Sequence, residues 1–122
     1  MTGTELYTRA IALLGLRESE VKYYEELALE CLNQLLDDHL WEQNALCAAK
    51  GVDGLTTAPE MSALTQNIPY EENMVRECFP YGLAAMLVAE EDHEEYNRMN
   101  EEMERRIAYY SPCYEIALQE DG

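Results

Sequence analysis

The sequence predicts an all-α protein, a small bundle of about four helices with a long Gly/Pro-containing connection and a short C-terminal tail. Three observations carry that prediction. Apolar residues recur at steps of three and four over most of the chain, the spacing that lines one face of an α-helix. Capping side chains and acidic residues stand where those periodic stretches begin. The stretch 80–107 joins an almost wholly apolar segment to a charged amphipathic one through Glu90-Glu91-Asp92-His93, as a buried helix followed by a partner lying across it would read.

Thr4 predicts the cap of a first helix over 4–15, with Leu6, Ala10, Leu13 and Leu14 on one face and Gly15 as C-cap. Ser19 opens a second helix over 19–38. Its stripe of Val21, Tyr24, Ala28, Cys31 and Leu35 is widened by Leu27, Leu32 and Leu36 beyond a coiled-coil seam. The same pattern allows the helix to run on through Trp41 to Ala48. Periodicity fades over residues 50–70, which Gly51, Gly54, Pro59 and Pro69 punctuate. A connection of that length usually has a function or some structure of its own. Thr57-x-x-Glu60 reads as a capping box for a short helical turn over 59–64, while 64–68 reads equally well as extended.

Pro69 suits the first position of a third helix reaching residue 90, with Met74, Cys78, Leu83, Met86 and Leu87 facing inward. Pro80 falls within it, so a kink or break is expected there. The small residues Gly82, Ala84 and Ala85 permit close approach by a neighbour, most naturally the second helix. A fourth helix over 93–110 carries Tyr96, Met99, Met103, Ile107 and Tyr110 on one face. Its other face offers the pairs Glu94–Arg98, Glu101–Arg105 and Glu102–Arg106, each with the acid on the favoured N-terminal side. Pro112 is expected to stop this helix, leaving a helical domain over 1–111 and a tail over 112–122. Leu13, Leu32, Leu35, Leu83, Leu87, Met103 and Ile107 are expected among the most buried side chains.

Composition narrows the function. Twenty-five acidic against eight basic residues leave a net charge of −17, in a chain of 122 residues that is 48 % apolar. Such a chain cannot bind free nucleic acid by counterion release, and an anionic membrane would repel it. The charge reads either as a solvated surface or as an acidic face held near DNA or presented to a basic partner. The N-terminal residues lack a secretory pattern, and the longest apolar run, 83–89, is too short to span a bilayer. Cys31, Cys47, Cys78 and Cys113 are widely spaced without C-x-x-C, which fits buried, reduced thiols of a cytosolic protein.

No stretch carries a catalytic motif. Glu90-x-x-His93 has the spacing of half a carboxylate-bridged di-iron motif, but such sites need a second one, and His39 has Leu36 three residues before it. Neither a glycine-rich phosphate loop nor a nucleophile elbow occurs. The expectation is a protein that is not an enzyme, with no cofactor and no metal. Nine tyrosines against one Phe and one Trp suit half-buried edges and interfaces, where the ring packs and the hydroxyl stays wet. In the tail, Tyr114, Ile116 and Leu118 alternate with Glu115 and Ala117, so an extended tail would point all three one way. Together with Tyr109 and Tyr110 they are the candidate partner-binding residues.

The layout resembles the head–tail connector (adaptor, head-completion) proteins of tailed phages and prophages. Leu6-x3-Ala10-Ile11-x-Leu13-Leu14-Gly15 looks like the opening helix of that family, and Tyr24-x3-Ala28-x3-Leu32-Asn33-x-Leu35-Leu36 is similar to its second. After the Gly/Pro-rich connection, Ile68-Pro69 leads to Tyr81-Gly82-Leu83-Ala84-Ala85-x-Leu87, and an amphipathic helix from Tyr96-Asn97 onward closes the pattern. Pro80 and the acidity of the fourth helix depart from it. The resemblance implies a structural protein whose copies form a ring beneath the portal, contact portal and tail-completion proteins, and let DNA pass without tight binding. It implies assembly in the cytoplasm of a bacterial host and residence at the virion head–tail junction. The alternative reading is an acidic helical binding protein, a DNA mimic or an inhibitor of a nucleic-acid-binding enzyme.

Overall fold

The computed structural model describes residues 1–15 and 18–110. It is all-α, with six helices among the described residues: α1 (Gly3–Leu14), α2 (Glu18–Asp38), α3 (Leu40–Ala49), α4 (Glu72–Glu77), α5 (Phe79–Val88) and α6 (His93–Tyr110). The four expected helices become six because two of them are interrupted. No helix among the described residues is long and apolar enough to cross a membrane.

Helix α5 is the hub, packing against α1, α2, α4 and α6. Eight of its ten residues are buried, and no charged side chain occurs in it, so it has no solvent face to offer. At Gly82 an added Cβ would lie 2.3 Å from Met103 Sδ and 2.9 Å from Leu35 Cδ2, so α6 as well as α2 closes directly on the helix backbone there. The small-residue stripe therefore admits two neighbours, where the sequence suggested one.

The break near Pro80 falls at Cys78, between α4 and α5. Proline lacks an amide hydrogen, and here it stands in the first turn of a new helix, where that hydrogen has no intrahelical acceptor. The second interruption is at His39, whose backbone (φ −116°, ψ 20°) separates α3 from α2 while its ring packs near Phe79, 5.8 Å between centroids.

Several sequence expectations are corrected. Helix α1 is capped by Thr2, not Thr4, through a full capping box with Glu5; Gly15 closes it at φ 64°, as expected. Pro69 lies outside α4, which starts three residues later behind Glu71. Residues 59–64 form no helix, and the chain near residue 67 makes an isolated antiparallel bridge with Thr2. The expected helical opening at Ser19 becomes an α2 starting at Glu18. Of the surface pairs on α6, Glu102–Arg106 forms, but Arg98 and Arg105 turn to Glu95 and Glu102, one residue closer in sequence than expected.

The expected core holds for Leu32, Leu35, Leu83, Leu87, Met103 and Ile107, each at most 5 % exposed. Leu13 is only half-buried: α1 meets α5 through Leu6, Tyr7 and Ala10, leaving Leu13 at the rim of a cleft. Leu27 is 38 % exposed, because it stands more than a quarter-turn from the Ala28–Leu32–Leu35–Leu36 face that α2 buries. Cys31 and Met86 are half-buried rather than inward. The largest side chains in the centre include Phe79, Leu6 and Val75, and the connection itself supplies Met61, Ile68 and Tyr70 to the core.

Leu35 is 1 % exposed and touches the backbone gap at Gly82, so Leu35→Ala leaves a cavity beside the hub. The expected loss is ~2–5 kcal/mol of unfolding free energy, measured by urea titration followed by circular dichroism; a midpoint equal to the parent's would place α2 differently.

Candidate interaction surface

The groups that could support chemistry are built into the frame. Among the described residues no cluster of three or more His, Cys, Asp or Glu could hold a metal ion. His93 opens α6 and lies near Tyr96, 6.4 Å between ring centroids. His39 Nδ1 lies 3.2 Å from Glu42 Oε2 in the adjoining turn. Cys78 is fully buried, and burial pushes its thiol up to about 12, with Arg106 pulling the other way and Glu77 adding to the rise. Burial, and then Glu30, raises Cys31 as well. A thiol held in its neutral form is neither a nucleophile nor a metal ligand at neutral pH. Cys47 is half-buried, and Cys113 lies outside the described residues.

What the structure does build is an ordered surface from a segment without regular structure. Three amide side chains on α2 and α3 pin the connection. Asn33 donates to the Met61 carbonyl at 3.0 Å and accepts from the Met61 amide at 2.8 Å. Asn44 does the same for Leu55, at 2.9 and 2.8 Å. Gln43, the one buried polar residue among those described, accepts from the Glu71 amide at 2.7 Å just before α4 begins. Each such side chain mimics a peptide group, giving an isolated loop amide and carbonyl the partners a helix would have given them.

Further ties complete the clamp. The Tyr70 hydroxyl donates to the Leu36 carbonyl, and Lys50 pairs with Glu71. Burial, with Asp37 and Glu42 nearby, pushes Tyr70 up to about 12, which keeps it a donor. On the far side the N-terminal residues pair with 64–68: the Ile68 amide donates to Met1, Gly3 to Gln66 and Thr4 to Leu64. At Gly3 the two backbones are so close that a Cβ would lie 2.9 Å from the Leu64 oxygen. A rigid backbone contact, unlike a side chain, cannot swing away.

This clamped segment and α3 present apolar groups to solvent. Trp41 is 43 % exposed, Val52 57 % and Leu55 41 %, while α3 buries only Gln43. On the opposite side of the chain's logic, the expected partner-binding residues are only partly placed. Tyr109 is 79 % exposed near the end of α6. Tyr110 closes that helix, but its side chain, like Tyr114, Ile116 and Leu118, lies outside the described residues, as does the expected stop at Pro112. Sequence reasoning missed Trp41, Val52 and Leu55 as surface groups; the one available signal was an apolar helix followed by a glycine-marked loop.

No protein-family model matches the chain, and neither a curated protein nor a solved structure matches it.

Two outcomes follow from the clamp. Asn33→Ala removes both bonds to Met61 and leaves a half-buried amide and carbonyl without partners; the expected cost is ~1–3 kcal/mol, with faster hydrogen exchange at Met61 while α5 stays protected. The two raised groups also set an alkaline limit. Their folded pKa values, about 12, lie above the ordinary values of 9 for the thiol and 10 for the phenol, so the unfolded chain loses these protons first. The stability they contribute is full below about pH 9 and lost as pH rises toward 12. Urea midpoints between pH 8 and 11 should fall, and fall less steeply in a Tyr70→Phe, Cys78→Ala variant.

Proposed function

We propose that this chain is a non-enzymatic structural protein of a phage or prophage, whose copies form a ring-like head–tail connector beneath a portal. The observation that carries this reading is the clamped connection. A long irregular segment is held in place by Asn33, Gln43 and Asn44, yet exposes Val52 and Leu55, as α3 exposes Trp41. A surface already held in shape in the free chain lowers the entropy cost of docking a partner. The occupant in this reading is a second copy of the chain, with the tail 112–122 as the other element joining copies or reaching the portal. The resemblance of the helical layout to connector proteins supports the same reading.

Charge supports it further. DNA passing through a ring meets phosphate-repelling walls if the lumen is acidic, and a basic lumen would grip it. At −17 the chain has carboxylates to spare for such a lining.

Sedimentation over a range of concentrations, with and without a portal protein, tests the proposal. A concentration-dependent ring or co-purification with the portal is expected; a stable monomer that inhibits a nuclease would favour the DNA-mimic reading instead. Deleting residues 112–122 should weaken assembly or portal binding in a still-folded protein. Unchanged assembly and unchanged portal binding would remove the tail from the connecting role.

A further inference from the structure

The basic residues of this acidic chain are not spread evenly. Three of the eight, Arg9, Arg76 and Arg106, line one cleft of about 330 Å³ between α1, the α4–α5 junction and α6, together with Glu77, Leu13 and Tyr81. Two of the three are held from within. Arg76 pairs with Glu72 at 2.8 Å. Arg106 pairs with Glu102 at 2.9 Å and lies over the Tyr81 ring, 4.4 Å from its centroid. Arg9 is exposed and makes no ion pair with another described residue. Leu13 and Tyr81 add apolar lining to the cleft, and both are half-buried.

A second cleft of about 310 Å³ has the opposite character. It lies between α2 and the connection, and is lined by Glu30, Asp37 and Glu60 around Ala58 and Pro59. No described cation lines it, and none of the three carboxylates makes an ion pair with another described residue. Its acidic side of α2 is turned away from the Ala28–Leu32–Leu35 face packed on α5. The two clefts share no residue and no helix.

We propose that these clefts are the two halves of one head-to-tail contact, in which Glu30, Asp37 and Glu60 of one copy dock against the Arg9–Arg76–Arg106 cleft of the next. The inference rests on the ring reading above and names the surface that receives the connection. Like charge elsewhere on a chain of −17 opposes self-association, so the arginine cleft is where a second copy's acidic face meets least repulsion and most attraction. Both clefts also carry apolar lining, Ala58 and Pro59 in one, Leu13 and Tyr81 in the other. Two different, complementary patches on one chain make a heterologous contact, and a heterologous contact repeats into a closed ring when its rotation closes. A free polyanion such as DNA is a poor competitor for the cleft, because the surrounding field repels it.

Charge reversal tests this at positions that are exposed and therefore free to change without unfolding the chain. Arg9→Glu, and separately Glu30→Arg with Asp37→Arg, are each expected to weaken association of the full chain by about tenfold or more in sedimentation at low salt. Mixing the two variants should recover one contact per pair, as heterodimers in which Glu30, Asp37 and Glu60 of the Arg9→Glu chain meet the unchanged Arg9–Arg76–Arg106 cleft of the other. Raising salt should weaken the parent and the mixture together. If the parent associates and the single-sided variants associate equally well, or the mixture does not recover, the contact is elsewhere and the inference falls while the ring reading stands. A parent that stays monomeric at every concentration overturns the inference, and portal co-purification then decides the ring reading separately.

Discussion

The close approach at Gly82 is the constraint on which the rest of the structure depends. A residue without a side chain lets Leu35 of α2 and Met103 of α6 meet over the backbone of α5, so three helices share one point of contact. Around it the core is continuous from α1 to α6, and α5 contributes nearly all of its length. Interiors packed at this density transmit any change in volume to their neighbours. The hub therefore fixes where α2 and α6 can lie, and with them where the outer side of α2 and the clefts beside α1 and α6 must face.

The connection depends on that frame in a different way. It supplies Met61, Ile68 and Tyr70 to the core as apolar anchors, while amide side chains from α2 and α3 satisfy its backbone. Anchors every few residues, with polar clamps between them, give an irregular segment the fixity usually reached by secondary structure. The consequence is a surface whose shape is set in the free protein. Both the exposed Val52 and Leu55 and the acidic cleft at residues 58–60 belong to this surface. Cys78, by contrast, is sealed inside, and His39 packs near Phe79.

The few cations of this acidic chain sit in different surroundings. Ion pairs on exposed helix faces, such as Arg98 with Glu95, contribute little to stability. One cleft gathers three of the eight basic residues, Arg9, Arg76 and Arg106, the last two already paired with Glu72 and Glu102.

The sequence by itself determined the all-α class, the ends of α1 and α6 to within a residue or two where they are described, the break before Pro80, and most of the core on α2, α5 and α6. These are local matters: a 3.6-residue stripe, a glycine at a C-cap and a proline's missing amide act within a few residues of themselves. Only the tertiary structure decided the rest. That Leu13 and Leu27 lie at or beyond the buried edge depends on where α1 and α2 meet α5, and a broad apolar stripe does not say which of its margins is covered. That Asn33 clamps Met61, 28 residues away, or that Arg9 shares a cleft with Arg76 and Arg106, depends on helices packed side by side. Amides and arginines look alike along a chain whether they meet solvent or each other, because their partners are chosen by packing and not by spacing.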